Sequence, residues 1–89
     1  MIYFIQCNGK GGPIKIGHTG NDIVHRVGLL QTGNPYPLKS ISTVDMDHIG
    51  NMSKIYIRFN HLRMIGEWLK CTRELLDFIA DLESGSLEL

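Results

Sequence analysis

The stretch that most limits how this chain can fold is Ile14-Lys15-Ile16-Gly17-His18-Thr19, followed after a short turn by Asn21 and Arg26. Ile14 and Ile16 alternate with Lys15, the period of a half-buried strand. Gly17 ends that strand where a second backbone, or a ligand, can come close. Asn21 offers a helix N-cap, and Ile23, Val27 and Leu30 recur at helical spacing, so Arg26 rides the first half of a helix. A strand, a glycine, a polar turn and a helix bearing one arginine form an arrangement for holding an anion. The same turn also occurs in many αβ proteins without any ligand.

Turn residues divide the rest of the chain. Residues 2–7, Ile-Tyr-Phe-Ile-Gln-Cys, read as a first strand, and Asn8-Gly9-Lys10-Gly11-Gly12-Pro13 as a hairpin loop that pairs it antiparallel with the second. This loop leads into a strand, whereas glycine-rich phosphate cradles lead into a helix N-terminus, so it reads as a turn. The first helix is expected from about Asp22 to Gln31, stopped by Gly33-Asn34-Pro35-Tyr36-Pro37. Leu38 to Val44 reads as a third strand with Leu38, Ser40, Ser42 and Val44 on one face. Asp45 or Asp47 then opens a second helix, with Ile49, Met52, Ile55, Tyr56, Phe59 and Leu62 as its apolar stripe. Gly66 to Lys70 is too short for a free-standing element and is expected to tuck onto the core, with Trp68 closing it. A third helix is expected over about Thr72 to Leu82, with Thr72 as cap and Leu75, Phe78, Ile79 and Leu82 facing inward. The expected fold is thus α+β, a three-stranded antiparallel sheet with helices packed against it in the order β-β-α-β-α-α. One domain occupies residues 1–83, with 84–89 as a frayed tail.

Eighty-nine residues suffice for one modest core. No apolar run approaches the length of a membrane span, and Met1-Ile-Tyr-Phe-Ile reads as a strand rather than a basic leader, which points to a cytoplasmic protein with no membrane partner. Cys7 and Cys71 lack metal-ligand spacing and read as two reduced thiols. Net charge is zero but unevenly spread. Residues 1–73 hold all nine Lys and Arg against four acids, a surplus of +5, while residues 74–89 hold five acids and no base. A basic body with an acidic end suits phosphate binding on one face; an acidic last helix that merely solubilises the domain is the alternative.

Ile2-Tyr3, Lys15-Ile16-Gly17, Leu30-Gln-Thr-Gly-Asn-Pro35 and Gly66-Glu67-Trp68, in this order with Arg26 between them, resemble the GIY-YIG endonuclease superfamily. The resemblance is to its short branch common in phages, marked by KIG in place of YIG and by the LQTGNP and GEW boxes, and it spans about residues 2–80. It implies phosphodiester hydrolysis with one divalent metal. A tyrosine helps to activate water, a helix arginine stabilises the pentavalent phosphate, and a glutamate on the second helix holds the metal. Carried over by position, the tyrosine is Tyr3 and the arginine Arg26. A guanidinium forks onto two phosphate oxygens, and a phenol beside a metal-bound water can relay its proton.

The branch writes its second helix Glu-x-x-Leu-His-x-x-Phe. Counted back from Phe59, the glutamate position here is Met52 and the histidine position Tyr56. A thioether cannot replace a carboxylate for Mg²⁺ or Mn²⁺. Neither Asp45 nor Asp47 is an obvious substitute, and Glu67 stands in a loop whose direction the sequence leaves open. The expected protein is therefore a pseudo-nuclease with no metal or other cofactor. It would bind a nucleotide or nucleic acid through Lys15, His18, Arg26, Tyr56 and Arg63, as a phage accessory or counter-defence protein with a host protein as a further partner. His25, His48 and His61 have no companion at ligand spacing. Two alternatives remain. One is an active endonuclease using Mg or Mn through an unusual ligand; the other is a protein–protein interaction domain with a vestigial pocket. Open sheet edges in so small a domain also point to a homo-oligomer.

Overall fold

The computed structural model describes residues 1–20, 22–87 and 89. The chain is a small α+β domain. Four strands, β1 (Ile2–Cys7), β2 (Ile14–His18), β3 (Leu38–Val44) and β4 (Trp68–Leu69), form one antiparallel sheet in the order β3-β1-β2-β4. Three helices cover it: α1 (Ile23–Gln31), α2 (Asn51–Arg58) and α3 (Arg73–Ser84). None of the described helices is long and apolar enough to cross a membrane.

The sheet has four strands, not the three expected. Trp68 and Leu69 pair with Lys15 and Ile14. Two residues are too few to show an alternating pattern, so the sequence carries no periodicity by which to read this strand. β4 is one arm of a tight hairpin: Met64 N–H donates to the Trp68 carbonyl, and Trp68 N–H to that of Ile65. The turn at its tip, Ile65-Gly66-Glu67, is allowed by the positive φ of Gly66. Trp68 also does not close the core. Leu69 does so, being 1% exposed within the main apolar cluster, while Trp68 lies directly opposite Lys15 on the other face and is half-buried.

Strand alternation sends Ile2, Phe4, Ile14, Ile16 and Leu69 to one face, where they meet Ile55, Phe59, Leu62, Leu75, Phe78, Ile79 and Leu82. Burying each large side chain contributes about 1.5–3 kcal/mol. Phe78 meets Phe59 edge-on with ring centroids 4.8 Å apart. Tyr3 and Ile5, equally buried, point to the opposite face, partly covered by α1.

A bulge in β3 changes the expected register. Phe4 pairs with Ser42 but Ile5 with Ser40, which leaves Ile41 as the extra residue. Leu38 and Ser40 therefore share a face with Cys7 and Ile5, toward Val27 and Ile23 of α1. Ser42 and Val44 lie on the opposite face with Phe4 and Ile2, so the four residues do not form a single row. The hydroxyl of Ser42 is buried there without a partner among the described residues.

The helix ends follow their caps. The expected cap Asn21 lies outside the described residues; the side chain of Asp22 accepts from Val24 N–H and starts α1. Thr72 caps α3 as expected, accepting from Leu75 N–H. α2 begins later than Asp45 or Asp47, because Asp47 closes a turn by accepting from Ile49 N–H and Gly50 follows at φ 80°. Ile49 is consequently 75% exposed and not part of the stripe. α2 also stops at Arg58, and Leu62 reaches the core from a 3-10 turn, Asn60–Leu62. Leu87 and Leu89 pack against the core from beyond α3.

Candidate functional site

The sheet face that carries Tyr3, Ile5, Lys15, Gly17 and Trp68 is only half covered, since α1 packs over the β3 side. On the open half the chemistry-bearing side chains gather. Tyr3 lies directly opposite Gly17, and a Cβ at Gly17 would fall 2.2 Å from the Tyr3 hydroxyl. Glycine is required here by contact, since its φ is not in the left-handed region. The Tyr3 ring, 1% exposed, crosses β2 and presents its oxygen to α1, where Arg26 Nε donates to it at 3.4 Å. Asp22, four residues before Arg26, meets it through the backbone alone, since Arg26 N–H donates to the Asp22 carbonyl while the Asp22 carboxylate serves as the cap.

Lys15, one residue before Ile16, makes an ion pair with Glu67 at the hairpin tip. The Lys15 side chain is largely covered and that of Glu67 half exposed. Glu67 is the residue that sequence reasoning left unplaced. Its direction depends on the hairpin of β4, and only that pairing turns its carboxylate toward β2. Its charge reaches two other groups. The Tyr3 hydroxyl, and more weakly the Glu67 carboxylate, hold the Arg26 guanidinium more firmly protonated than usual. Burial, reinforced by Glu67 and Tyr3 and opposed by Arg63, pushes the Tyr56 hydroxyl up to about 12.

Tyr56 marks the edge of the site. β4 pairs with only Ile14 and Lys15, so the margin of β2 beyond them has no strand beside it, and the Tyr56 hydroxyl donates to the Ile16 carbonyl at 2.9 Å. Beside it opens a cleft of about 250 Å³ lined by Tyr56, Asn60, Arg63, Gly66, Glu67 and Leu69. Arg63 Nε donates to the Gly66 carbonyl at 3.0 Å and so braces the hairpin tip.

The structure thus brings Tyr3, Lys15, Arg26, Tyr56 and Arg63 to one neighbourhood and adds Glu67. It does not bring His18 there. His18 is opposite Ile2, hence on the other face of the sheet, where its ring stacks on His48 with centroids 3.8 Å apart and planes within 4°. Three cations against one carboxylate leave this neighbourhood net positive, an arrangement able to receive phosphate oxygens.

The position that the resemblance assigns to the metal ligand offers no carboxylate. Met52, in the position where the resemblance implies a glutamate, is half-buried against the core. Glu67 is already paired with an ammonium, and among the described residues no three His, Cys, Asp or Glu lie together as a ligand set.

Comparison of the chain with family models, with curated proteins and with solved structures returns no match.

Proposed function

We propose that this protein is a GIY-YIG-like pseudo-nuclease, a binding module that holds a phosphate-containing ligand, nucleotide or nucleic acid, without cutting it. The observation that carries the reading is the grouping of Lys15, Arg26 and Arg63 around two tyrosines with a single carboxylate among them. Arg26 is half-buried and oriented by Tyr3, so its fork is held in place before a phosphate arrives. The four sequence boxes support the family assignment. Hydrolysis would need a stabiliser for the charge that builds on the phosphate, and Met52 at the usual glutamate position offers a metal no carboxylate. Bound nucleotide would be held rather than consumed, which suits an accessory protein that captures a nucleotide signal.

Glu67 favours one second reading, an endonuclease in which this carboxylate replaces the missing glutamate. A plasmid-nicking assay in Mg²⁺ or Mn²⁺, run beside a binding titration, separates the two. Binding without nicking is expected; metal-dependent nicking lost in both Glu67→Gln and Arg26→Ala would replace the first reading by the second.

A further inference from the structure

We infer that the groove on the far side of the hairpin tip is a nucleobase pocket, so that the ligand is a nucleoside phosphate and not a bare phosphate or a sugar phosphate. This rests on the phosphate reading above and extends it to a second subsite. The groove measures about 420 Å³, within the range of small-molecule sites. Trp68, Tyr36, Met64 and Ile65 supply its walls. Tyr36, Met64 and Ile65 are 53%, 50% and 80% exposed, three large apolar side chains left together in water.

No residue lining it carries a formal charge, and its polar residues are Asn8, Asn34, Cys7 and Tyr36. Asn34, which lines the groove, accepts from Tyr36 N–H through Oδ1, which leaves its amide nitrogen as a donor. The Asn8 side chain, also lining it, has no hydrogen bond among the described residues. An uncharged groove with aromatic walls and carboxamide edges matches a flat heterocycle that needs stacking and edge hydrogen bonds. A purely aliphatic occupant would leave those groups unused.

Register joins this groove to the cations. Trp68 lies directly opposite Lys15, and Lys15 directly opposite Ile5. Tyr3 and Gly17 form the next row on the same face. Rows on one face are about 7 Å apart. Trp68 is therefore directly opposite the cation Lys15, while Tyr3, which holds Arg26, stands one row along the sheet and two strands across.

Trp68 is the only tryptophan, so its fluorescence reports the groove directly. The experiment titrates the full chain with adenosine 5′-monophosphate, ribose 5-phosphate, adenosine and a single-stranded oligodeoxyadenylate. Expected are saturable quenching by adenosine monophosphate, binding of ribose 5-phosphate about tenfold weaker and without quenching, and a roughly tenfold loss for adenosine monophosphate alone in Tyr36→Ala. Tyr36 contributes no side-chain hydrogen bond, so this variant retains the fold. Tighter quenching by the oligonucleotide identifies a strand, and equal or weaker quenching a free nucleotide, as the source of the same unit. Equal affinity for the two monophosphates without quenching would overturn the base pocket while leaving the phosphate site standing. Quenching by adenosine with no effect of Arg26→Ala would keep the pocket and remove the phosphate reading. A dimer that Tyr36→Ala dissolves, with no quenching by any probe, would assign the groove to a second copy and overturn the inference.

Discussion

The Tyr3 ring lies across Gly17, so close that a Cβ at Gly17 would meet the Tyr3 hydroxyl at 2.2 Å. The two residues belong to neighbouring strands and are direct partners in the register, which means that one position sets where the other's oxygen points. Gly17→Ala must therefore displace Tyr3, a buried side chain with little room to yield. The expected cost is about 1–3 kcal/mol of stability from overpacking, read as a lower denaturation midpoint. The same variant should lose phosphate-ligand affinity, since Arg26 loses its orienting partner. Unchanged midpoint and affinity would show that Tyr3 does not set the site.

Arg26→Ala removes the cation that Tyr3 holds. Binding of a phosphate-bearing ligand should weaken by about 1.5–3 kcal/mol, the range of a charge-assisted hydrogen bond, while circular dichroism stays that of the wild type. The dependence of log affinity on log salt should be shallow, because few phosphates are neutralised. A steep slope with tight duplex binding at physiological salt would instead indicate an extended nucleic-acid track.

Glu67→Gln tests whether this carboxylate opposes the ligand or orients it. The carboxylate is half exposed, so loss of its pair with Lys15 should change stability by less than about 1 kcal/mol. Freed of that partner, Lys15 adds its charge to the site, and affinity for inorganic phosphate or a nucleotide should rise roughly three- to tenfold. A fall in affinity, measured by calorimetry, would mean that Glu67 itself orients the ligand.

Tyr56 links the site to alkaline stability. Its folded value, pushed up to about 12 by burial, exceeds the usual value of about 10 for the unfolded chain. A raised folded value means that the neutral phenol is favoured in the native state. Its contribution is complete below about pH 10 and is lost as pH rises from there to about 12. In Tyr56→Phe, the fall in thermal midpoint between pH 9.5 and 11.5 should be smaller than in the wild type. At pH 7 the variant should be less stable by about 1 kcal/mol, because the Ile16 carbonyl loses its donor. Identical pH profiles for the two proteins would remove Tyr56 from the account.

Ser42 offers the opposite sign. Its hydroxyl is buried without a partner among the described residues, on the core face of a bulged strand. Ser42→Ala should raise stability by about 1 kcal/mol, visible as a higher urea midpoint at unchanged slope. A drop of similar size would reveal an acceptor or water that the hydroxyl needs.

The local rules were sufficient for most of the elements. Apolar runs bounded by turn residues mark β1 and β3, alternation marks the start of β2, Thr72 and the apolar spacing set α3, and the Gly-Pro clusters mark the turns, because each signal is complete within a few adjacent residues. Tyr3, Lys15 and Arg26 were legible as site candidates for the same reason, each being tied to a boxed strand or helix. What depends on distant pairing was not. The two-residue β4 forms only because β2 presents an open edge to it, and that pairing is what turns Glu67 toward Lys15 and Trp68 away from the core. The bulge at Ile41 splits a row of residues that looked continuous, and a single residue of alternation sends His18 to the opposite face, onto His48. The sequence by itself determined which residues could carry charge and fold into which elements. The cross-strand register, set by contacts between residues more than half the chain apart, as Ile14 and Leu69 are, decided which of them meet.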